Sequence, residues 1–179
     1  DQRGVSRPQG AACDSGAYEA EQYTLLIHTA GNGYGLVTPT IGSHFYFSGT
    51  ATLVPITATV GVGSLFTGWS GDLTGNNNPT EILVNADKAV TATFTLQTFA
   101  ITPTAGANGS ITPNTSQMVN YGESITFTIA ADPGYHVTAV GVDGVSQGPI
   151  GSYTFQNVTA THAITAAFAL NPPIGLTVS

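Results

Sequence analysis

Charge is what this sequence has least of. Only 7% of its 179 residues are charged, against about 25% in an average globular protein. Three are positive, Arg3, Arg7 and Lys88, and the net charge is −7. Nucleic-acid binding needs a basic footprint, so that class is excluded. An anionic membrane surface is disfavoured for the same reason. The single cysteine, Cys13, excludes an internal disulfide and says little about compartment. No apolar run approaches the roughly twenty residues of a membrane span. The chain opens Asp1-Gln2-Arg3, with neither an initiator Met nor a signal-peptide pattern. That predicts a processed product or a piece of something longer.

What remains is apolar and uncharged-polar. Hydrophobic content is 41%, too high for disorder, which needs low hydrophobicity. Polarity comes from Thr, Ser, Asn and Gly. Thr is β-branched, and its enrichment beside Val and Ile favours strands over helices.

The strongest feature is an internal repeat. Ser64-Leu65-Phe66-Thr67-Gly68-Trp69-Ser70-Gly71-Asp72 holds the only Trp. Tyr135–Asp143 stands where that stretch stood, and Ala160–Phe168 stands where Ala86–Phe94 stood. The offsets are 71 residues from Asp72 to Asp143 and 74 from Phe94 to Phe168, while Asn32-Gly33 recurs as Asn108-Gly109, 76 on. A near-constant offset with small indels means one structural unit present twice. Each unit is small, with a thin core, so contact with a neighbour would help it.

Four segments follow: 1–22, an extended leader, linker or end of an upstream domain; 23–97, the first β-repeat; 98–170, the second; and 171–179, a C-terminal tail. In the first repeat Tyr23–Thr29, Leu36–Thr38, Phe45–Phe47, Thr50–Val60, Leu65–Trp69, Glu81–Val84 and Ala89–Leu96 read as strands. Gly31–Gly35 is a turn, since Asn-Gly readily supplies positive φ. Pro55 cannot donate to a ladder, so the long strand is expected at an edge or bulged there, and Gly61-Val62-Gly63 is expected to distort it further. Val90, Ala92, Phe94 and Leu96 share one face, and Thr91, Thr93 and Thr95 the other. In the second repeat the strands are Phe99–Thr102, Ser110–Thr112, Met118–Tyr121, Ser124–Ala130, His136–Val142, Ser152–Phe155 and Ala163–Leu170. Ile125-Thr126-Phe127-Thr128-Ile129 alternates cleanly and buries Ile125, Phe127 and Ile129. Asn171-Pro172-Pro173 breaks the ladder. The short junction Thr95-Leu96-Gln97-Thr98 argues against free swivelling between units. The fold class is therefore all-β: two tandem small antiparallel β-domains, β-sandwich or β-grasp-like, with extended N- and C-terminal segments.

Two resemblances are carried by particular motifs. The opening Tyr/Phe strand, the Asn-Gly turn, Phe66-Thr67-Gly68-Trp69-Ser70-Gly71-Asp72 and Ala86-Asp87-Lys88-Ala89-Val90-Thr91-Ala92-Thr93-Phe94 together resemble the divergent InlB-type B-repeat, a bacterial surface repeat. The second repeat has Gly141-Val142-Asp143-Gly144 in place of the Trp motif. Asp1–Glu19 resembles the closing segment of bacterial right-handed β-helix surface proteins. The resemblances imply an extracellular or cell-surface module, with a larger β-helix N-terminal to it.

Candidate chemistry is thin. His28, His44, His136 and His162 lie outside metal-ligand spacing of one another and of Cys13, so they read as solvent-facing or locally packed. No G-x-S-x-G nucleophile elbow occurs. Glycoside hydrolysis needs paired carboxylates. Of the acids Asp72, Glu81, Asp87, Glu123, Asp132 and Asp143, Asp72 and Asp143 occupy equivalent repeat positions, as turn-shaping residues do. Asp72 with Asn76, Asn77 and Asn78 has the oxygens for Ca²⁺ but no calcium-loop spacing, and an Asx-turn is the better reading. Trp69 is either a sugar platform or core, with core favoured. No catalytic, cofactor-binding or metal-binding residue is assigned, and no cofactor is expected.

Three functions compete. The first is a non-catalytic structural or adhesive module of a secreted or surface-anchored bacterial protein, working through protein–protein contacts. The second is a subunit of an extracellular filament, self-assembled when a β-prone tail, Ala11–Tyr18 or Ile174–Val178, adds a strand to a neighbour's open sheet edge. The third is a carbohydrate-binding accessory module, with Tyr34, Phe45, Tyr46 and Tyr135 as candidate glycan contacts. No membrane insertion is expected in any of them.

Overall fold

The computed structural model describes residues 22–48 and 51–173. The leader up to Glu21, the Ala11–Tyr18 and Ile174–Val178 tails and the Gly49-Thr50 start of the long strand lie outside those residues. The chain divides into two compact units between Thr95 and Leu96, two residues before the junction expected from the repeat.

The first unit comprises β1 (Gln22–Ala30), β2 (Gly35–Thr38), β3 (Gly42–Phe47), β4 (Thr52–Val60), β5 (Ser64–Gly71), β6 (Thr80–Val84) and β7 (Lys88–Leu96). The second comprises β8 (Thr98–Ala105), β9 (Gly109–Thr112), β10 (Gln117–Asn120), β11 (Ile125–Ala131), β12 (Tyr135–Val142), β13 (Val145–Gly148), β14 (Ser152–Phe155) and β15 (His162–Leu170). No helix occurs among the described residues. A β-grasp packs a helix on its sheet, so the sandwich is the form adopted.

Each unit is built from two sheets. In the first, strand order is β3-β1-β7-β5 in one sheet and β2-β4-β6 in the other. In the second it is β10-β8-β15-β12-β13 and β14-β11-β9. The orders match strand for strand, apart from β13. A single apolar cluster joins the two sheets in each unit. In the first it includes Leu25 and Ile27 from β1, Val54 and Ile56 from β4, Ile82 and Val84 from β6, and Val90 and Phe94 from β7. Its counterpart includes Ile101, Ile111, Phe127, Ile129, Val140 and Ile164. Strict two-residue alternation selects these side chains: in β7 Val90, Ala92 and Phe94 point inward between half-buried threonines. Full burial of a side chain such as Phe94 is worth roughly 1.5–3 kcal/mol.

One pairing in each unit departs from the antiparallel expectation. The first and last strands of a repeat run parallel, Leu25 beside Lys88 through Ala30 beside Thr93, and His162 beside Ile101 through Ala166 beside Ala105. This closes each repeat on itself, since its ends become central neighbours.

Two further expectations are corrected, and one holds locally. β4 lies between β2 and β6 and is not bulged, but β2 ends short of Pro55, so the strand is an edge there as expected. It pairs without a register shift with β6 over Thr52–Ile56 and with β2 over Thr57–Val60. Pro55 is tolerated because β2 does not reach it, so the strand has one neighbour there. Gly61-Val62-Gly63 leaves β4 undistorted. Gly61 donates its N–H to Tyr34 and accepts from Ser64, making a tight turn into β5. The glycine equivalence also shifts. Gly35 pairs with Val60 and Gly109 with Ala131, and a Cβ at either would overlap the ring of Phe94 or Phe168 respectively. Gly109 therefore corresponds to Gly35, at the same offset of 74 as the phenylalanines, and not to Gly33.

Candidate functional site

The acidic positions singled out by the repeat act within the fold. The Asp72 carboxylate accepts a hydrogen bond from the Ala89 N–H at 2.8 Å, and the Asp72 N–H donates to the Ala89 carbonyl at 2.8 Å. Lys88 Nζ stands 3.6 Å from the other carboxylate oxygen. In the second unit Asp143 accepts from the Ala163 N–H at 2.8 Å and donates to the Ala163 carbonyl at 3.0 Å. His162 takes the place of Lys88, with Nδ1 2.7 Å from the carboxylate. Each Asp is thus a two-point clip between the end of one strand and the start of the last one. This is a long-range role and not the local Asx-turn expected of Asp72. The Ala163 N–H, and secondarily the His162 ring, hold the Asp143 carboxyl below its ordinary value. Asp87 makes a third clip, accepting from the Thr24 N–H at 2.8 Å where the parallel ladder begins.

The asparagines weighed as calcium ligands are likewise occupied. Asn78 accepts from the Ala58 N–H and donates to the Ala58 carbonyl, at 2.8 and 2.7 Å. Its amide imitates one residue of a neighbouring strand. The Asn77 carbonyl accepts from Trp69 Nε1 at 3.0 Å. Trp69 is only 5% exposed and packs edge-on to Phe66, ring centroids 5.0 Å apart. It is core and presents no face to a sugar.

The histidines are scattered. His28 is exposed on β1, His44 donates to the Thr40 carbonyl, and His136 is bonded to Asn171. Among the described residues no group of three His, Cys, Asp or Glu side chains converges as a metal site would. Of the candidate glycan contacts, Tyr34 and Phe45 are exposed, while Tyr46 is partly buried against the core and Tyr135 is half-buried. Tyr34 borders Leu36, Val60 and Gly61 in a shallow hollow, whereas Phe45 stands on β3 opposite Thr24. Tyr34 immediately precedes β2, which belongs to the other sheet from β3.

What stands out on the surface is apolar, and it lies mostly on the first unit. Leu36, Leu53 and Leu83 are exposed on the β2-β4-β6 sheet, with Leu53 directly opposite Leu83. Phe45 and Phe47 are 65% and 64% exposed on β3, an edge strand. Among the described residues of the second unit, only Met118, Val145 and Leu170 are of this kind. Sequence reasoning missed the edge because period-two alternation tells inward from outward residues, but not which strand ends a sheet.

Residues 23–98 and 99–172 each match the family described as the divergent InlB B-repeat domain. No curated protein and no solved structure matches the chain.

Proposed function

From the premise that the chain belongs to the divergent InlB B-repeat family, which suggests a bacterial surface repeat module, we propose a non-catalytic structural and adhesive role. The module is extracellular or on the cell surface and works through protein–protein contacts. The observation that carries the reading is the contrast between occupied polar groups and exposed apolar ones. Asp72, Asp87, Asp143, Asn78 and His162 are bound to backbone or to each other. Large apolar side chains meanwhile stand out from the first unit. The hydrogen bonds of these polar groups are accounted for by the fold itself, whereas exposed apolar surface is what a partner covers.

The test is adhesion. Beads coated with the chain are expected to cluster with each other or to be retained on cells and immobilised extracellular proteins. Turnover of ester, glycoside or peptide substrates by the chain would overturn the proposal. Retention on a glycan array in place of proteins would favour a carbohydrate-binding role. A filament built by strand addition is the second reading, favoured by the open β3 edge.

A further inference from the structure

Edge strands expose unpaired backbone groups, and soluble proteins usually guard them with charge, proline, short length or a covering loop. Three of the four sheet edges in the first unit show such a device. β2 is four residues long and runs into Pro39. β6 follows Pro79 and carries Glu81. β5 is covered where the Trp69 N–H donates to the Gly75 carbonyl of the returning loop. β3, Gly42-Ser43-His44-Phe45-Tyr46-Phe47, has none of these among the described residues. It is six residues long, without charge or proline, with two exposed phenylalanines. Its counterpart β10 is four residues long and exposes only Met118.

We propose that β3 pairs with the β3 of a second copy of this chain, antiparallel across a two-fold axis. The two four-stranded sheets then run on as one. The inference rests on the interaction-module reading and names its partner.

Charge argues for this occupant. The chain carries −7 overall, yet every residue from Gln22 to Gly71 is uncharged. Pairing β3 with its own copy therefore sets no charge of the strand against a like charge, and the Asp87 carboxylate lies one strand away, on Thr24. Side-chain alternation supplies the register. In an antiparallel pair directly opposite residues share a face, and Ser43, Phe45 and Phe47 form the exposed face of β3. A two-fold axis through Phe45 therefore sets Phe45 against Phe45, Ser43 against Phe47 and His44 against Tyr46. Five paired residues on each side bury less than the roughly 1,000 Å² of a stable interface. The contact is accordingly weak in solution and is strengthened where many copies are displayed together.

The experiment is sedimentation velocity of the full chain from about 10 µM to about 1 mM, the range of a weak edge contact. The weight-average mass is expected to rise from 18.2 kDa toward twice that value and to stop there. Phe45→Lys and Phe45→Glu each place like charges opposite one another at the axis and should hold the chain monomeric. Mixing the two variants should restore the dimer. Because Phe45 is outside the core, both variants should keep the wild-type circular dichroism and melting curve. A wild-type chain that stays monomeric throughout, or a dimer that survives Phe45→Lys, overturns the pairing. So does open-ended growth that is lost on removing 174–179 and kept in Phe45→Lys, which is the tail-addition result. A monomeric chain whose beads still adhere overturns the pairing alone and leaves the adhesive role standing.

Discussion

The strand that carries the tryptophan in the first repeat, and its counterpart in the second, reach the same sheet position and are finished in different ways. β5 carries Trp69 near its end, and the residue's backbone and indole hold the returning loop through Gly75 and Asn77. β12 has Val140 at the equivalent place, fully buried, and no side chain able to grip a loop. There the chain turns at Asp143 and Gly144, φ 50° and 80°, and comes back as β13 with Val142 opposite Val145. Both central residues with positive φ make the turn that matches strand twist, and Asp-Gly is a favoured sequence for it. One edge is closed by a side-chain anchor, the other by an added strand. A similar exchange occurs on the second sheet. Asn78 bonds Ala58 through its amide, while the equivalent Ile129 N–H donates to the backbone carbonyl of Gly151. The difference teaches that the paired core, and not the loop chemistry, defines this fold. Loops change freely as long as the backbone groups they leave behind are satisfied.

The comparison breaks most sharply at the anchor. Trp69→Ala should destabilise the first unit by about 3–5 kcal/mol, the loss typical of a buried Trp. Val140→Ala should cost the second unit only about 2 kcal/mol, since it removes two methyl groups. Hydrogen exchange read separately over 22–95 and 96–173 checks both, with each substitution expected to loosen its own unit. Equal losses would mean that the tryptophan is ordinary core filling and that its loop is held by something else.

A smaller effect is expected at Asn78. Asn78→Ala removes both bonds to Ala58 and should cost about 1–2 kcal/mol, with exchange at the Ala58 amide rising first. The amide of Ile129 should stay protected in the same sample, because its partner is backbone.

The smallest effect concerns acid. Folding holds Asp143 below its ordinary value, so its contribution is complete above the ordinary carboxylate range. That contribution is lost as the pH falls through the lowered folded value. Asp143→Asn should therefore flatten the acid limb of the second unit's stability curve below about pH 4 and leave the first unit's unchanged. The effect is slight because the carboxylate is 46% exposed and screened by solvent. Thermal melts of wild type and variant across pH 2–6 give the slopes directly.

Much of the molecule was legible in the residues. The repeat follows from near-constant offsets, the strand-rich class and the inward faces of β7 and β11 from composition and a period of two, and the core place of Trp69 from its position between strand residues in the motif that carries the family resemblance. Asp143-Gly144 between two valines is a hairpin signal, and it marks β13. Local pattern did not reach the rest. Nothing in β1 or β7 announces that they pair in parallel across more than sixty residues. Nothing in Asp72 names Ala89, 17 residues away, as its partner, and the six residues of β3 do not declare that they end a sheet. Periodicity fixes which way a side chain points, because that depends on neighbours along the chain. Which strand lies alongside, and which edge is left open, depends on how both apolar faces are covered at once, and only the folded unit decides that.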